Sequence, residues 1–577
     1  VKRPSAKLIA LLLTTGLASG LATAARAVDA EENLPEAWFA QQGTMEKLRE
    51  ETGVRPPKPD QHPVAAMYNR EAIIPPQCYT RTEGKHNPCY VCHQDALPGR
   101  ENVMNDRDLQ EAYSFSDLGQ TNHWANLFRD RAQRVAGISD REILDWVDDD
   151  NYSDLQPRLQ AAGFKGWIPD LENLEERADA FDEQGIARDG SGWVAFNYKP
   201  FPSTFWPTNG STDDVMIRLP AIYREDAKGE PSRAVYQANL AILEANIKEL
   251  GSITTAPLDE RELGVDLNGD GALAVITEIT DVSRYVGAAR EQYLEPFLYP
   301  KGTEFLHTVR YLGMDDEGRI GVSRRMKEVR YMKKWQAYNK PTLARYYEEE
   351  AFEKEAGFLP GYTRLGDWGL DNGSGWSIQG FIENREGKLR VATHEENTFC
   401  MGCHSSIGST IDKTFSFARK IDGAAGWGYI NLKGMPDAPN VGEFEGEFLT
   451  YFRRAGGGDE FRSNPEVLQR FFDENGKVDA DKVAGLDVYD LIVPSAVRAL
   501  QLNKAYRVIV DEQSFLFGRD ATWHPPMNVY DAVSNVDSPT LEETRIFDWD
   551  IRLDWQAANA SGEGRSKTVI AVSQDAH

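Results

Sequence analysis

At 577 residues, with 91 acidic against 64 basic side chains and a net charge of −27, the chain is long enough for two to four domains with real cores. So acidic a surface repels phosphate backbones, which excludes nucleic acid as a partner and favours basic partners or cations such as calcium. Only five cysteines and nine histidines are present, so their placement is informative.

The first 27 residues have the layout of a secretory signal peptide. Lys2, Arg3 and Lys7 precede an apolar run from Leu8 to Leu21, and Ala25-Arg26-Ala27 offers a small-x-small cleavage site. The run is too short and too rich in Gly and Ala for a transmembrane span, although an uncleaved anchor is the rival reading. No later segment approaches a span. The mature protein is expected to be exported, periplasmic and soluble, meeting the membrane only transiently through its signal peptide. No cysteine lies near the cleavage site, so a lipoprotein is not expected.

Residues 28–190 follow, entered through the Pro-rich VRPPKPDQHP. The stretch PPQCYTRTEGKHNPCYVCHQ, residues 75–94, holds Cys78 and a Cys-x-x-Cys-His unit made of Cys89, Cys92 and His93. His123 lies 30 residues further on, in TNHWANLF. SDREILDWVDD reads as an acidic helix capped by Ser139 or Asp140. DLENLEERADAFDEQG reads as a charged helix or linker, and Gly185 to Gly192 as a boundary.

Residues 191–385 mix α and β signals. Tyr236, Leu240, Leu243, Ile247 and Leu250 recur at helical steps and Gly251 follows, which predicts an amphipathic helix with its stop. DLNGDGAL places Asp266, Asn268 and Asp270 at positions 1, 3 and 5 of a calcium loop, with Gly271 at the turn. Position 12 is Thr277, and Glu278 comes one residue late, so a calcium-stabilised loop and a metal-free Asx turn both stand. Phe305, His307, Val309 and Tyr311 alternate before an Asp-Asp-Glu-Gly turn, which predicts a β-hairpin with His307 in the core. RRMKEVRYMKKW, residues 324–335, is the dense basic run; a solvated helix face is preferred over a surface that meets cofactor propionates or an acidic partner. The tetrapeptide GSGW stands at 190–193 and again at 373–376, reading as two Gly-rich turns that each pack a Trp.

Residues 386–577 carry the second Cys-x-x-Cys-His unit, Cys400, Cys403 and His404, in NTFCMGCHSS. A zinc site drawing two thiols from each unit does not require the following histidine. A redox dithiol needs a thioredoxin-like context that neither flank shows. Haem attachment uses every residue: two thiols about one turn apart reach the two vinyl groups, and the adjacent imidazole lies under the iron. Both units resemble the haem-binding motif of c-type cytochromes. That resemblance implies a dihaem c-type cytochrome with two covalently bound haem c groups, His93 and His404 being the proximal ligands.

The interval 94–399 is too long for a tight tandem of small cytochrome domains. The expected fold is α+β and multidomain, with mainly helical cytochrome c-like haem regions at 28–190 and 386–577 around a mixed α/β middle. Met435, on a Met-Pro loop in LKGMPDAP, and His123 are the leading distal ligands; His62, His86, His394 and His524 are alternatives. Cys78 is a buried thiol, an intermolecular disulfide or an axial thiolate. SNPEVLQRFFDE is a further helix capped by Ser463 or Asn464. The function these readings imply is electron transfer with periplasmic redox proteins. The alternative is a dihaem oxidoreductase, peroxidase- or oxygenase-like, with one open-coordination haem, so whether the chain is an enzyme stays open.

Overall fold

The period-two pattern around residue 307 resolves as the centre of a large sheet in the computed structural model, which describes residues 71–94, 106–111, 113, 115–202, 209–359, 361–457, 464–520, 522–534 and 538–562. The export signal, the Pro-rich entry, His62 and Ser463 lie outside the described residues. Among those described, the strands are β1 (Val194–Ala195), β2 (Thr212–Arg218), β3 (Ile253–Asp259), β4 (Val275–Ile279), β5 (Glu304–Met314), β6 (Ile320–Lys334), β7 (Thr363–Arg364), β8 (Leu370–Asp371), β9 (Trp376–Glu383) and β10 (Leu389–Val391). Eight of them make one antiparallel sheet in the order β1-β2-β5-β6-β9-β8-β7, with β10 on β9; β3 and β4 pair separately.

The hairpin expected at 305–323 is β5–β6, with His307 opposite Arg330. Both faces of β5 are buried: Phe305, Val309 and Tyr311 on one, Leu306, Thr308, Arg310 and Leu312 on the other. Sheets of this kind need layers on each side.

The basic run corrects its sequence reading. Residues 324–334 are not a solvated helix face but part of β6, paired with β5 on one edge and β9 on the other. Its buried cations each find a partner: Arg325 lies 3.1 Å from Glu383, Lys327 donates to the Gly210 carbonyl at 2.6 Å, and Lys334 pairs with Asp412. Partners supplied from distant segments override the local helix propensity of Arg, Lys and Met.

Helices α1 (Asp140–Asp148) and α2 (Arg233–Lys248) form where expected, each with a Ser cap: Ser139 accepts from the Glu142 amide and Ser232 from that of Val235. α2 is buried on nearly every side rather than amphipathic, and it ends at Glu249 in the left-handed region, two residues before Gly251. The later helices are α3 (Lys340–Glu355), α4 (His394–His404), α5 (Glu447–Ala455), α6 (Pro465–Phe471, capped by Asn464) and α7 (Ala496–Glu512). No helix among the described residues is long and apolar enough to cross a membrane. The 170–185 stretch holds only one short helical turn, Arg177–Ala180.

Both GSGW segments are turns that seat a fully buried Trp, Trp193 and Trp376, at the start of a strand. Gly375 has φ 91°, and a Cβ there would stand 2.1 Å from the Gln336 carbonyl oxygen, so no other residue fits without moving β6's exit.

The fold is α+β, but the mainly helical, cytochrome c-like haem regions are not what forms. The first Cys-x-x-Cys-His unit sits among 3-10 turns, and the antiparallel sheet from 194 to 391 dominates the architecture. The distant ends of the chain meet: Thr80 bridges Val529, and Tyr90 packs edge-on against Phe547 and Trp549.

Candidate functional site at the paired Cys-x-x-Cys-His units

The first unit is held by Asn87, two residues before Cys89. Asn87 accepts the Tyr90 amide at 3.0 Å through its side chain, while its amide group donates to Gln110 at 2.8 Å and to the Arg545 carbonyl at 2.6 Å. That nucleates the 3-10 turn Cys89–Val91, and the amides of Cys92 and His93 both close onto the Cys89 carbonyl. His93 Nδ1 lies 3.6 Å from Asp106, whose other oxygen is 3.2 Å from Lys354 on α3. Burial works against the Asp106 charge, but His93 and Lys354 outweigh it and hold this carboxyl below the usual range.

The second unit occupies the last turn of α4. Thr393 and Glu396 form a capping box, and Glu396 is locked by Arg390 at 2.8 Å. Cys400, Cys403 and His404 stand at i, i+3 and i+4 and so share one helix face. Burial, with the charges of Arg330 and the neighbouring His307, drives the His404 imidazolium down to about 3, so the ring is neutral. Its Nδ1 is sealed from solvent without a hydrogen-bond partner. Burial also pushes the Cys403 thiol up to about 12, with Cys400 adding to it.

The two units lie together. A Cβ on Gly402 would stand 2.0 Å from the Ile73 carbonyl oxygen, so the segment leading to Cys78 runs directly across the second unit. Cys78 itself is a free thiol whose pKa is raised chiefly by burial and then by Cys89, Cys92 and Cys403, which places thiols of both units around it. Trp124 meets Phe399 edge-on at 5.0 Å, next to Cys400. A small cleft beside the first unit is lined by Cys92, Gln94, Asp106, Tyr347, Ile407 and Lys413.

The candidate distal residues land in different places. Met435 is buried in the aromatic core that includes Tyr90, Val91 and Phe452. His123 is buried with Nε2 3.1 Å from the Leu118 carbonyl oxygen. His394 begins the helix that His404 ends, about 15 Å away along its axis; its Nε2 lies 3.0 Å from the Gly366 carbonyl oxygen. His524 is exposed beside Asp130 at 3.8 Å. Three residues border the second unit: His307 and Arg330, read in the sequence as a core strand residue and part of the basic run, and Arg519, which carried no local signal.

The 266–272 loop joins β3 to β4 and is closed by its own side chains. Asp266 accepts the amides of Gly269 and Gly271 at 2.6 and 2.8 Å, and Asp270 accepts that of Ala272 at 2.8 Å. Replacing Asp266 by Ala is expected to cost about 1–2 kcal/mol through those two orphaned amides, seen as a lower melting temperature. The same melts in chelator and in excess calcium tell a turn from an ion seat, since only an ion held by the folded state raises the melting point by mass action.

Among the described residues, no group of three or more His, Cys, Asp or Glu converges as a ligand shell for a bare metal ion. That disfavours the zinc reading, which needs thiols of both units on one ion.

A family model described as a lipoprotein family matches residues 62–489. An uncharacterized lipoprotein of Aquifex aeolicus is 35% identical over 518 residues, covering 78% of this chain and 86% of the relative. No solved structure matches. Neither description carries a cytochrome, haem or oxidoreductase label, so the resemblance to dihaem c-type cytochromes fails as a statement of family: the two units are short local patterns set into a different fold. The expectation that the chain is no lipoprotein is likewise corrected at the level of family. The family model and the relative agree over most of the length, and the chain belongs to this family of exported lipoproteins.

Proposed function

We propose that each Cys-x-x-Cys-His unit holds one haem through two thioether bonds, and that the exported chain passes single electrons to periplasmic redox proteins. The observation that carries this reading is that the two units, distant in sequence, lie close together, with Cys78 beside thiols of both. A bound haem supplies an iron that cycles between ferric and ferrous states. The chain's own residues do the rest. Cys89 and Cys92, then Cys400 and Cys403, anchor; His93 and His404 present a ring nitrogen, that of His404 neutral; Asp106 places a negative charge beside His93; the aromatic core around Tyr90 excludes water.

A pyridine haemochrome assay on the purified exported protein is expected to give two haems per chain, and none would sink the reading. High-spin absorption with carbon monoxide binding in the untouched protein would replace the carrier by an oxidoreductase with an open site. Asp106→Asn removes a negative charge from His93 and weakens its donation to iron, so the midpoint of one haem is expected to rise in a potentiometric titration while haem content is unchanged. A midpoint that stays or falls would show that Asp106 does not act on that ligand.

A further inference from the structure

Helix α3 presents two unlike faces. Leu343, Tyr347, Glu350 and Lys354 recur at steps of four and three and make its inner stripe. That stripe reaches toward both Cys-x-x-Cys-His units. Lys354 Nζ lies 3.2 Å from Asp106, the carboxylate beside His93, and 3.3 Å from Glu350. The other Glu350 oxygen pairs with Lys413, which donates at 2.7 Å to the carbonyl of Ser405, the residue after His404.

The outer face has an apolar centre. Phe352 is 71% exposed, and exposed Glu348, Glu349 and Glu355 stand four and three residues before it and three after, so they ring it. Gly357, at φ 83°, donates its amide to the Lys354 carbonyl at 3.0 Å, and Phe358 donates to that of Glu353 at 2.9 Å. This Schellman turn folds Phe358 back beside the last turn of the helix, where it too is exposed, at 59%. A single exposed phenylalanine is ordinary; two on one helix end mark the centre of a docking surface. Of the three ringing carboxylates only Glu349 meets a cation among the described residues, Arg345 at 3.8 Å with both side chains exposed, so the ring keeps its negative charge. That charge decides the occupant. An anionic lipid surface is repelled, and a second copy would set the same carboxylates against each other. A basic protein is drawn in by the chain's net charge of −27 and then held by the ring.

We propose that this outer face of α3 docks a basic electron-carrying protein, placing it one helix width, about 10 Å, from the inner stripe that links toward both units. The partner's redox role rests on the reading given under Proposed function; the docking does not.

The test titrates the purified full chain with a small basic c-type cytochrome by calorimetry at low and high salt, and follows electron transfer between the two by stopped flow. The wild type is expected to bind at low salt. Phe352→Ser with Phe358→Ser should weaken that binding roughly tenfold. Glu348→Gln with Glu355→Gln should weaken it about three- to tenfold, with a difference that closes as salt rises. Glu262→Gln with Glu278→Gln, an equal change of charge at exposed positions of the separate β3–β4 hairpin, should leave it unchanged. No binding at low salt, or the same Kd in all four proteins, would overturn the docking surface. So would wild-type binding to phosphatidylserine vesicles that the Phe variant loses, which assigns the face to a membrane. A wild-type dimer that the Phe variant lacks in sedimentation velocity would assign it to a second copy, with the same consequence. Circular dichroism checks each fold, and should the Phe variant fail to fold, the Glu pair against its control decides. Calorimetry needs no haem on this chain, so a haem count of zero sinks the functional reading while the Kd values still decide this one. Two haems with no binding sinks the docking alone.

Discussion

Replacing Cys400 and Cys403 together by alanine is expected to lower covalent haem from two per chain to one, and Cys89→Ala with Cys92→Ala to do the same for the other unit. Combining the four changes should leave none. The two units are built by separate local structures, a 3-10 turn capped by Asn87 and the last turn of a helix with a capping box, so each should attach its group without the other. Cys78→Ala is the control. Its thiol is kept protonated by burial and stands outside either Cys-x-x-Cys spacing, so both haems should remain. Haem staining after denaturing electrophoresis, with a pyridine haemochrome count, reads all four proteins. A chain that loses both groups when one unit is removed would mean that the units attach a single shared group. Loss in Cys78→Ala would mean that this thiol takes part in attachment.

How far the sequence reaches can be seen residue by residue. Features set by near neighbours were legible: the caps at Ser139 and Asn464, the strand alternation at 305–311, the helix through Tyr236 and Ile247, and the Gly-rich turns seating Trp193 and Trp376. Features set by distant partners were not. The basic run at 324–334 carries helix-forming residues, and only its pairing with β5 and β9 and the carboxylates of Glu383 and Asp412 make it a buried strand. Both Cys-x-x-Cys-His units could be picked out, because their chemistry depends on spacing within five residues. That they lie close together, and that Arg519 and His307 border one of them, depends on contacts between segments hundreds of residues apart. The cytochrome-like fold was inferred from those few residues alone, and the sheet that builds the protein lies between them.

Glu447→Gln is expected to be the most destabilising single change, at about 3–5 kcal/mol, because it strips buried Arg419 of its carboxylate and leaves Lys199 with Asp437 alone. Glu447 is 1% exposed and takes both Arg419 nitrogens, at 2.6 and 2.7 Å, and Lys199 at 2.8 Å. Arg419 also donates to the carbonyls of Lys199 and Pro200, so the cluster ties the segment after β1 to α5. Burial alone would lift this carboxyl, but Arg419 and Lys199 outweigh it and hold its pKa at about 2. An unfolded Glu titrates near 4.3, so protons bind the unfolded state more readily over that interval. The pair's contribution, about 3 kcal/mol by linkage, is therefore fully present above pH ~4.3 and is lost as pH falls toward 2. Denaturant titrations at pH 7 and at pH 3 should show the wild type weakened at the lower pH. The Gln variant, already without the ionised carboxylate, should lose less over the same interval. Equal losses in the two proteins would show that other carboxylates, not Glu447, set the acid limit of the fold.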